Sequence, residues 1–212
     1  ADPDEAGTML AEEEWPMRTI PWGQLTWLNE PPGAEYDGAV LRVTTGRETD
    51  FWQRTSYDFI HDDGHFLGLP LEGAAAREVT FEADFEGAFD QAGLMLRSDA
   101  EHWIKAGVEL SDGVLYAGAV VTVGRSDWSV SPLPEGAGAG RLTFRASRTG
   151  DAVTIRYRVG DEPGWRFLRL AYFPPESAVL AGPMCCSPTR AGLSVRFWPV
   201  RVGPPDASLH EE

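Results

Sequence analysis

Apolar and polar side chains alternate with a period of two along several short segments of this chain. In 79–86, Val79 and Phe81 have one parity, while Thr80 and Glu82 have the other. The same alternation occurs in 91–97, 102–110, 142–147, 153–159 and 193–198. Because successive side chains of a β-strand point to opposite faces, this pattern predicts strands that each bury one face.

Turn residues separate these segments, and no helical pattern interrupts them. Ser111, Asp112 and Gly113 lie between two alternating segments, as in a β-hairpin. No stretch of ten residues has the i, i+3, i+4 apolar spacing of an amphipathic helix. The sequence therefore predicts an all-β fold, a sandwich of two antiparallel sheets. The shared apolar parity predicts a core that includes Phe81, Ala92, Leu94, Leu96, Ile104, Val108, Phe144, Ile155 and Val195.

Length and charge set the domain organisation. The 212 residues suit one β-sandwich. We predict a disordered acidic segment over 1–14, a single domain over 15–202 and a frayed tail over 203–212. The formal charge is −15, and outside the two terminal segments 24 acids face 18 bases. This acidity disfavours nucleic acids and anionic membranes as partners.

Cys185 and Cys186 are the only cysteines, and they are adjacent. A disulfide scaffold needs several separated pairs, so we expect two buried free thiols, with a strained vicinal disulfide as the alternative. No apolar run approaches the ~20 residues that a membrane span needs. The N-terminus has no basic-then-apolar signal pattern. Together these features predict a cytoplasmic location.

Two neighbouring segments carry an unusual polar face. A solvated face rarely carries a Trp, whereas a ring flanked by charged and amide groups suits a sugar or polyol. We expect one exposed concavity lined by Gln91, Met95, Arg97, Trp103, Lys105 and Glu109, with Trp52, His65 and Trp128 at its rim. In the alternative interpretation, a Lys105–Glu109 pair decorates the sheet and a loop covers Trp103.

Two loops hold further polar residues. The run His61–His65 has two imidazoles and two carboxylates within five residues, but its spacing matches no zinc or calcium loop. An Asp-Gly turn is favoured there, and we predict neither a metal nor a cofactor. Asp127 and Trp128 lie in a second loop, where the alternative is that Asp127 accepts backbone N–H groups and Trp128 caps the sandwich.

The sequence leaves catalysis open. It has no nucleophile elbow, phosphate-binding glycine loop, Cys-x-x-Cys or His-Glu-x-x-His motif. The row Glu82, Asp84 and Glu86 has the spacing of a glycosidase acid pair, but without aromatic or arginine partners it is typical of a solvated face. Glu109 is the candidate general acid or base. A lysine within ~4–6 Å would lower its pKa, so Lys105 favours a base.

Several motifs occur in the order typical of a known family. They are Thr49–Trp52, Phe89–Met95, Trp103–Glu109, Ser126–Ser129 and Gly182–Pro188. The chain resembles the concanavalin-A-like family long labelled a domain of unknown function, whose named member is the fungal regulation-of-enolase protein. The resemblance implies a jelly-roll sandwich within a superfamily that includes lectins and glycan hydrolases. The motif residues are Asp50, Trp52, Gln91, Met95, Trp103, Lys105, Glu109, Asp127 and Trp128.

Three functional hypotheses follow. The first is a binding domain that takes a carbohydrate or similar polyol on the face around Trp103. The second is an enzyme acting on a small polar metabolite, with Glu109 and Lys105 as an acid–base pair. The third, suggested by the resemblance, is a regulatory partner of a metabolic enzyme. A deep pocket at Glu109 would favour the enzyme, and a shallow apolar concavity the protein partner.

Overall fold

The computed structural model describes residues 16–210, so the predicted disordered segment over 1–14 lies outside the described residues. The described chain forms eighteen strands and two short 3-10 helices, Trp22–Gln24 and Ala137–Ala139. The first nine strands are β1 (Arg18–Thr19), β2 (Thr26–Leu28), β3 (Gly33–Asp37), β4 (Val40–Thr44), β5 (Phe51–Gln53), β6 (Ile60–Asp62), β7 (His65–Leu71), β8 (Ala75–Ala83) and β9 (Gln91–Asp99). The others are β10 (His102–Ser111), β11 (Val114–Val123), β12 (Arg125–Pro132), β13 (Leu142–Thr149), β14 (Ala152–Val159), β15 (Arg166–Tyr172), β16 (Val179–Cys186), β17 (Ser194–Phe197) and β18 (Arg201–Gly203).

These strands form the predicted antiparallel sandwich. One sheet has nine strands, in the order β15-β14-β13-β8-β17-β4-β3, with β18 paired to β8 and β1 paired to β18. The other has seven, in the order β12-β11-β10-β9-β16-β7-β2. Strands β5 and β6 form a separate hairpin. The all-β jelly-roll prediction is confirmed.

The main core lies between the two large sheets and follows the parity of the strands. All nine predicted core residues are buried, among them Leu94, Phe144 and Ile155 with no exposed surface. Burying a side chain of this size stabilises a fold by about 1.5–3 kcal/mol. The period-two pattern therefore identified the inward faces correctly.

A tight turn sets the register of the strands that carry the candidate site. Asp112 and Gly113 have φ values of 50° and 77°, the left-handed conformation that a two-residue hairpin turn requires. The turn pairs Glu109 with Tyr116 and Lys105 with Val120 on the outer face of the seven-stranded sheet.

The segment after Gly203 is attached to the nine-stranded sheet. Asp206 accepts a hydrogen bond from Arg145 at 2.7 Å and one from Arg156 at 3.2 Å, and Arg156 also donates to the Leu209 carbonyl at 2.8 Å. The expectation that this segment frays is therefore wrong for 204–209. Strand parity points both arginines outward, but it does not show that a distant carboxylate binds them.

Among residues 16–210, no helix has the length and apolar character needed to cross a membrane.

Candidate functional site

The β5–β6 hairpin covers part of the outer face of the seven-stranded sheet. Phe51 of the hairpin packs against Trp103, with ring centroids 6.1 Å apart. Phe51 is part of a second buried cluster between the hairpin and the sheet, whose other members are Phe66, Met95, Trp103, Val120, Met184 and Cys186. The indole N–H of Trp103 donates to the Ala100 carbonyl at 3.1 Å. The outer face of the sheet is therefore only partly open.

The expectation that Met95 and Trp103 line an exposed concavity is wrong, since neither has exposed surface. Their parity is correct: in the register of β9 and β10, Met95 pairs with Lys105 and Trp103 with Arg97. The hairpin turns this half of the outer face into core. Of the alternative, the covered Trp103 is present, but the Lys105–Glu109 pair is not, because Lys105 pairs with Asp50.

Arg97 and His65 hold other parts of the fold in place. Arg97 forms a two-point ion pair with Asp62, at 2.5 and 2.9 Å, which joins β6 to β9. The His65 ring is buried; its Nδ1 donates to the Asn29 carbonyl at 2.6 Å and its Nε2 accepts from the Gly46 N–H at 2.9 Å. Burial lowers the His65 pKa. The prediction that His65 lies at the rim is wrong, and Arg97 lies outside the cleft described next.

A cleft of about 390 Å³ opens beside the hairpin. Six predicted site residues line it, namely Asp50, Trp52, Gln91, Lys105, Glu109 and Trp128. The other lining residues are Glu48, Tyr57, Phe59, His61, Phe89, Val120 and Pro188. Asp127, in contrast, forms an exposed ion pair with Arg169 at 2.8 Å, and only its neighbour Trp128 reaches the cleft.

Glycines leave one level of the seven-stranded sheet, between Lys105 and Glu109, without side chains. Gly107 pairs with Gly93 on one side and with Gly118 on the other, so three adjacent strands carry glycine at this level. A Cβ atom on Gly107 would overlap the Ala92 carbonyl, because the neighbouring backbone lies so close. Strands β9 and β10 consequently approach each other closely beside Lys105 and Glu109.

Lys105 lies under the hairpin with its charge satisfied. Its ammonium donates to Asp50 Oδ1 at 2.9 Å and to the Phe51 carbonyl at 2.8 Å, and its side chain is 5% exposed. Burial acts to lower the pKa of Lys105, but Asp50 and the other acidic groups around it outweigh burial and raise the pKa overall. The charged Lys105 side chain therefore links the seven-stranded sheet to the hairpin through these two hydrogen bonds.

Glu109 has no such partner. Its Oε1 atom is buried without a hydrogen bond, and no salt bridge joins it to Lys105. Burial raises the pKa of Glu109 to about 7, although Lys105 acts to lower it, and the negative charge of Asp50 adds to the rise. The expectation that Lys105 lowers this pKa overall is wrong, because burial dominates. Glu109 exchanges a proton near neutral pH.

The aromatic wall of the cleft was missed in the sequence. The Tyr57 and Phe59 rings stack with centroids 5.2 Å apart, the Phe59 and His61 rings meet edge-on at 5.0 Å, and the Trp52 and Tyr57 rings lie 5.9 Å apart. Tyr57, Phe59 and His61 alternate with period two, which was the available signal. They are exposed or half-buried and face the cleft.

The two cysteines are free and buried, as predicted. Cys186 Sγ lies 3.4 Å from Gln91 Oε1, and burial raises the pKa of both thiols. Neither is an activated nucleophile, since the thiolate is the reactive form. Within 16–210, His, Cys, Asp and Glu side chains form no group of three or more suited to a metal ion.

The fold agrees with that of the proteins to which this chain is similar. It belongs to the family described as Protein of unknown function (DUF1349), whose model matches residues 27–205. Regulation of enolase protein 1 from Saccharomyces cerevisiae is 38% identical over 191 residues, which are 89% of this chain and 94% of that protein. The resemblance stated from the motifs is thereby confirmed.

Two solved structures are similar to this fold. A functionally unknown protein from Saccharomyces cerevisiae superposes with a TM-score of 0.83 at 37% identity, over 89% of this chain and all of that one. A GH43 protein from Bacillus licheniformis gives 0.68 at 11% identity, over 88% of this chain and 38% of that one. At such identity the second likeness shows the fold alone, a concanavalin-A-like jelly roll.

Proposed function

We propose that this protein binds a carbohydrate or a similar polyol in the cleft beside the β5–β6 hairpin. One observation carries the proposal: a single cleft of about 390 Å³ combines a polar floor with aromatic walls. Small-molecule sites have volumes of roughly 300–1,000 Å³ and a few converging polar groups in an apolar lining. Gln91, Lys105 and Glu109 supply the polar groups here.

The exposure of the rings supports this proposal. Trp128 is 42% exposed, Phe59 41% and Tyr57 58%. Large rings left in water lose the stabilisation that burial gives, so a cluster of them indicates a binding surface. A sugar presents a C–H face that stacks on such rings and hydroxyl groups that bond to amides and carboxylates.

A thermal-shift screen of neutral sugars tests the proposal. Glucose, galactose, xylose and xylo-oligosaccharides are titrated into the wild-type protein. A ligand at 100 times its Kd adds about 2.7 kcal/mol to the unfolding free energy and so raises Tm. Trp128→Ala should lose the shift, whereas Trp165→Ala, a matched change just before β15 and outside the cleft, should keep it. The proposal fails if no sugar shifts Tm, or if Trp128→Ala responds like the wild type.

A second candidate function is catalysis by Glu109. Its buried, unpartnered Oε1 and a pKa of about 7 in a cleft are what a general acid or base requires near neutral pH. Mass spectrometry of any bound sugar after incubation decides between the two. Conversion that Glu109→Gln abolishes selects an enzyme, and an unchanged ligand selects a binding protein.

A protein partner is the third candidate. The name of the yeast relative refers to regulation of enolase, and Tyr57, Phe59 and Ile60 form an exposed apolar rim on the hairpin. Sedimentation velocity of this protein mixed with purified enolase tests it. Co-sedimentation that Tyr57→Ser weakens supports the candidate, and independent sedimentation of the two proteins rejects it.

A further inference from the structure

The charged groups that line the cleft are mostly neutralised by partners. Asp50 pairs with Lys105 at 2.9 Å, and Glu48 pairs at the surface with Arg47 at 3.3 Å. Glu109 is the remaining lining carboxylate, and no described cation forms a salt bridge with it. Lys105 is the one Lys or Arg among the described lining residues, and Asp50 already holds it. A ligand with a phosphate or carboxylate would find no free Lys or Arg among the described lining residues.

The orphaned oxygen of Glu109 identifies the missing group. A buried carboxylate oxygen is costly unless an N–H or O–H donates to it, and a charged donor compensates best. Since Lys105 is committed to Asp50 and the Phe51 carbonyl, residues 16–210 supply no ammonium to Glu109. A ligand ammonium that reaches the Glu109 carboxylate from the cleft would supply the missing positive charge.

The walls of the cleft suit the same group. Trp52, Tyr57, Phe59 and Trp128 line it, and the faces of such rings attract cations through the ring quadrupole. An unpartnered carboxylate beside several rings is chemistry that recognises an amine rather than an anion.

We propose that the cleft selects a ligand carrying a positively charged amino group beside its hydroxyl groups, an amino sugar or amino polyol, with Glu109 as the ion-pair partner of the amine. This inference rests on the proposed function, because it specifies the class of polyol that the same cleft binds.

Binding of a cation makes Glu109 ionise, so the complex forms with release of a proton. The groups around Glu109 are Lys105 on its own strand, Tyr116 on β11, Gln91 on β9, Cys186 on β16, Glu48 and Asp50 before β5, and His61 on β6. Histidine also changes charge near neutral pH, so His61→Asn separates its contribution from that of Glu109. In both the wild type and His61→Asn, amine binding should weaken as the pH falls from 7 to 5.5.

Calorimetric titration at pH 7 with matched pyranoses tests the inference. The probes are glucosamine, N-acetylglucosamine, glucose and glucose 6-phosphate, with ethanolamine as an amine that has no sugar ring. We expect glucosamine to bind about tenfold more tightly than the two neutral sugars, and glucose 6-phosphate most weakly, because a charge-assisted bond favours the amine. Glu109→Gln should bring the ratio of glucosamine to glucose affinity close to one, while Glu135→Gln, which changes an exposed carboxylate outside the cleft lining, should leave that ratio unchanged.

The outcomes separate this inference from the proposed function. Equal affinity for glucosamine and glucose, or tightest binding of glucose 6-phosphate, overturns the inference and leaves polyol binding standing. Binding of ethanolamine without binding of any sugar supports the amine site and overturns the polyol function. Silence of all five probes overturns the inference, and the polyol function fails with it if the sugars of the thermal-shift screen are silent as well.

Discussion

The Nζ atom of Lys105 lies 2.9 Å from Oδ1 of Asp50, 55 residues away in the chain, rather than in a salt bridge with Glu109 on its own strand. This pair joins the segment that enters the β5–β6 hairpin to the outer face of the seven-stranded sheet. It also leaves Glu109 without a cation. The contact holds the hairpin beside the cleft, while burial is the main cause of the raised pKa of Glu109.

Lys105→Met should destabilise the protein strongly. The change leaves the Asp50 carboxylate, 16% exposed, without its cation, and breaking a buried pair on one side costs about 3–5 kcal/mol. Urea unfolding measures the change. The double variant Lys105→Met/Asp50→Asn should lose clearly less unfolding free energy than the two single variants lose together. Simple additivity of the two losses would show that the pair does not hold the hairpin.

Two tryptophans of the candidate site should behave in opposite ways. Trp103→Ala removes a fully buried ring and should lower the unfolding free energy by about 3–5 kcal/mol, whereas Trp128→Ala removes a half-exposed ring and should change it by less than about 1 kcal/mol. Equilibrium unfolding of both variants side by side checks this. An unchanged midpoint for Trp103→Ala would mean that the hairpin does not cover the ring.

The pair of tryptophans also shows what the sequence can predict. Parity placed Trp103 on the outer face of β10 correctly, because the period of a strand is a local property. Whether that face meets water depends on a hairpin that begins some 50 residues earlier. Nothing local in 102–110 encodes that cover.

The pKa of Glu109 likewise depends on contacts that the local sequence does not show. The sequence identified it as an acid beside Lys105, and both line the cleft. The sign of its pKa shift was wrong, because the alternation shows neither the burial of Glu109 nor the commitment of Lys105 to Asp50. Spacing along one strand identifies neighbouring side chains, while the pKa of each side chain also depends on burial and on the charged groups that other strands contribute.

Glu109→Gln should stabilise the protein at alkaline pH. The folded-state pKa is raised from an ordinary value of about 4.5 to about 7, so between these values the folded protein binds more protons than the unfolded chain. Wild-type stability therefore falls as pH rises through this window, and the loss is complete above it. Relative to wild type, Glu109→Gln should gain about 2–3 kcal/mol between pH 4.5 and pH 8.

Denaturant titrations at these two pH values measure the gain. Glu135→Gln, which changes an exposed carboxylate in a loop, is the matched control and should follow the wild type at both. A Glu109→Gln variant that keeps the same difference from wild type at pH 4.5 and pH 8 would show that Glu109 titrates like an ordinary surface acid.

The central claim is that a polyol binds in the cleft between the hairpin and Trp128. Two-dimensional ¹⁵N NMR of the indole N–H groups during a sugar titration tests it most directly, with the Trp128 signal assigned from Trp128→Phe. With whichever sugar raises Tm most in the screen, the Trp128 signal should move progressively and saturate, while those of Trp165 and Trp198, outside the cleft lining, stay in place. Movement of Trp165 or Trp198 with a fixed Trp128 signal would contradict the account.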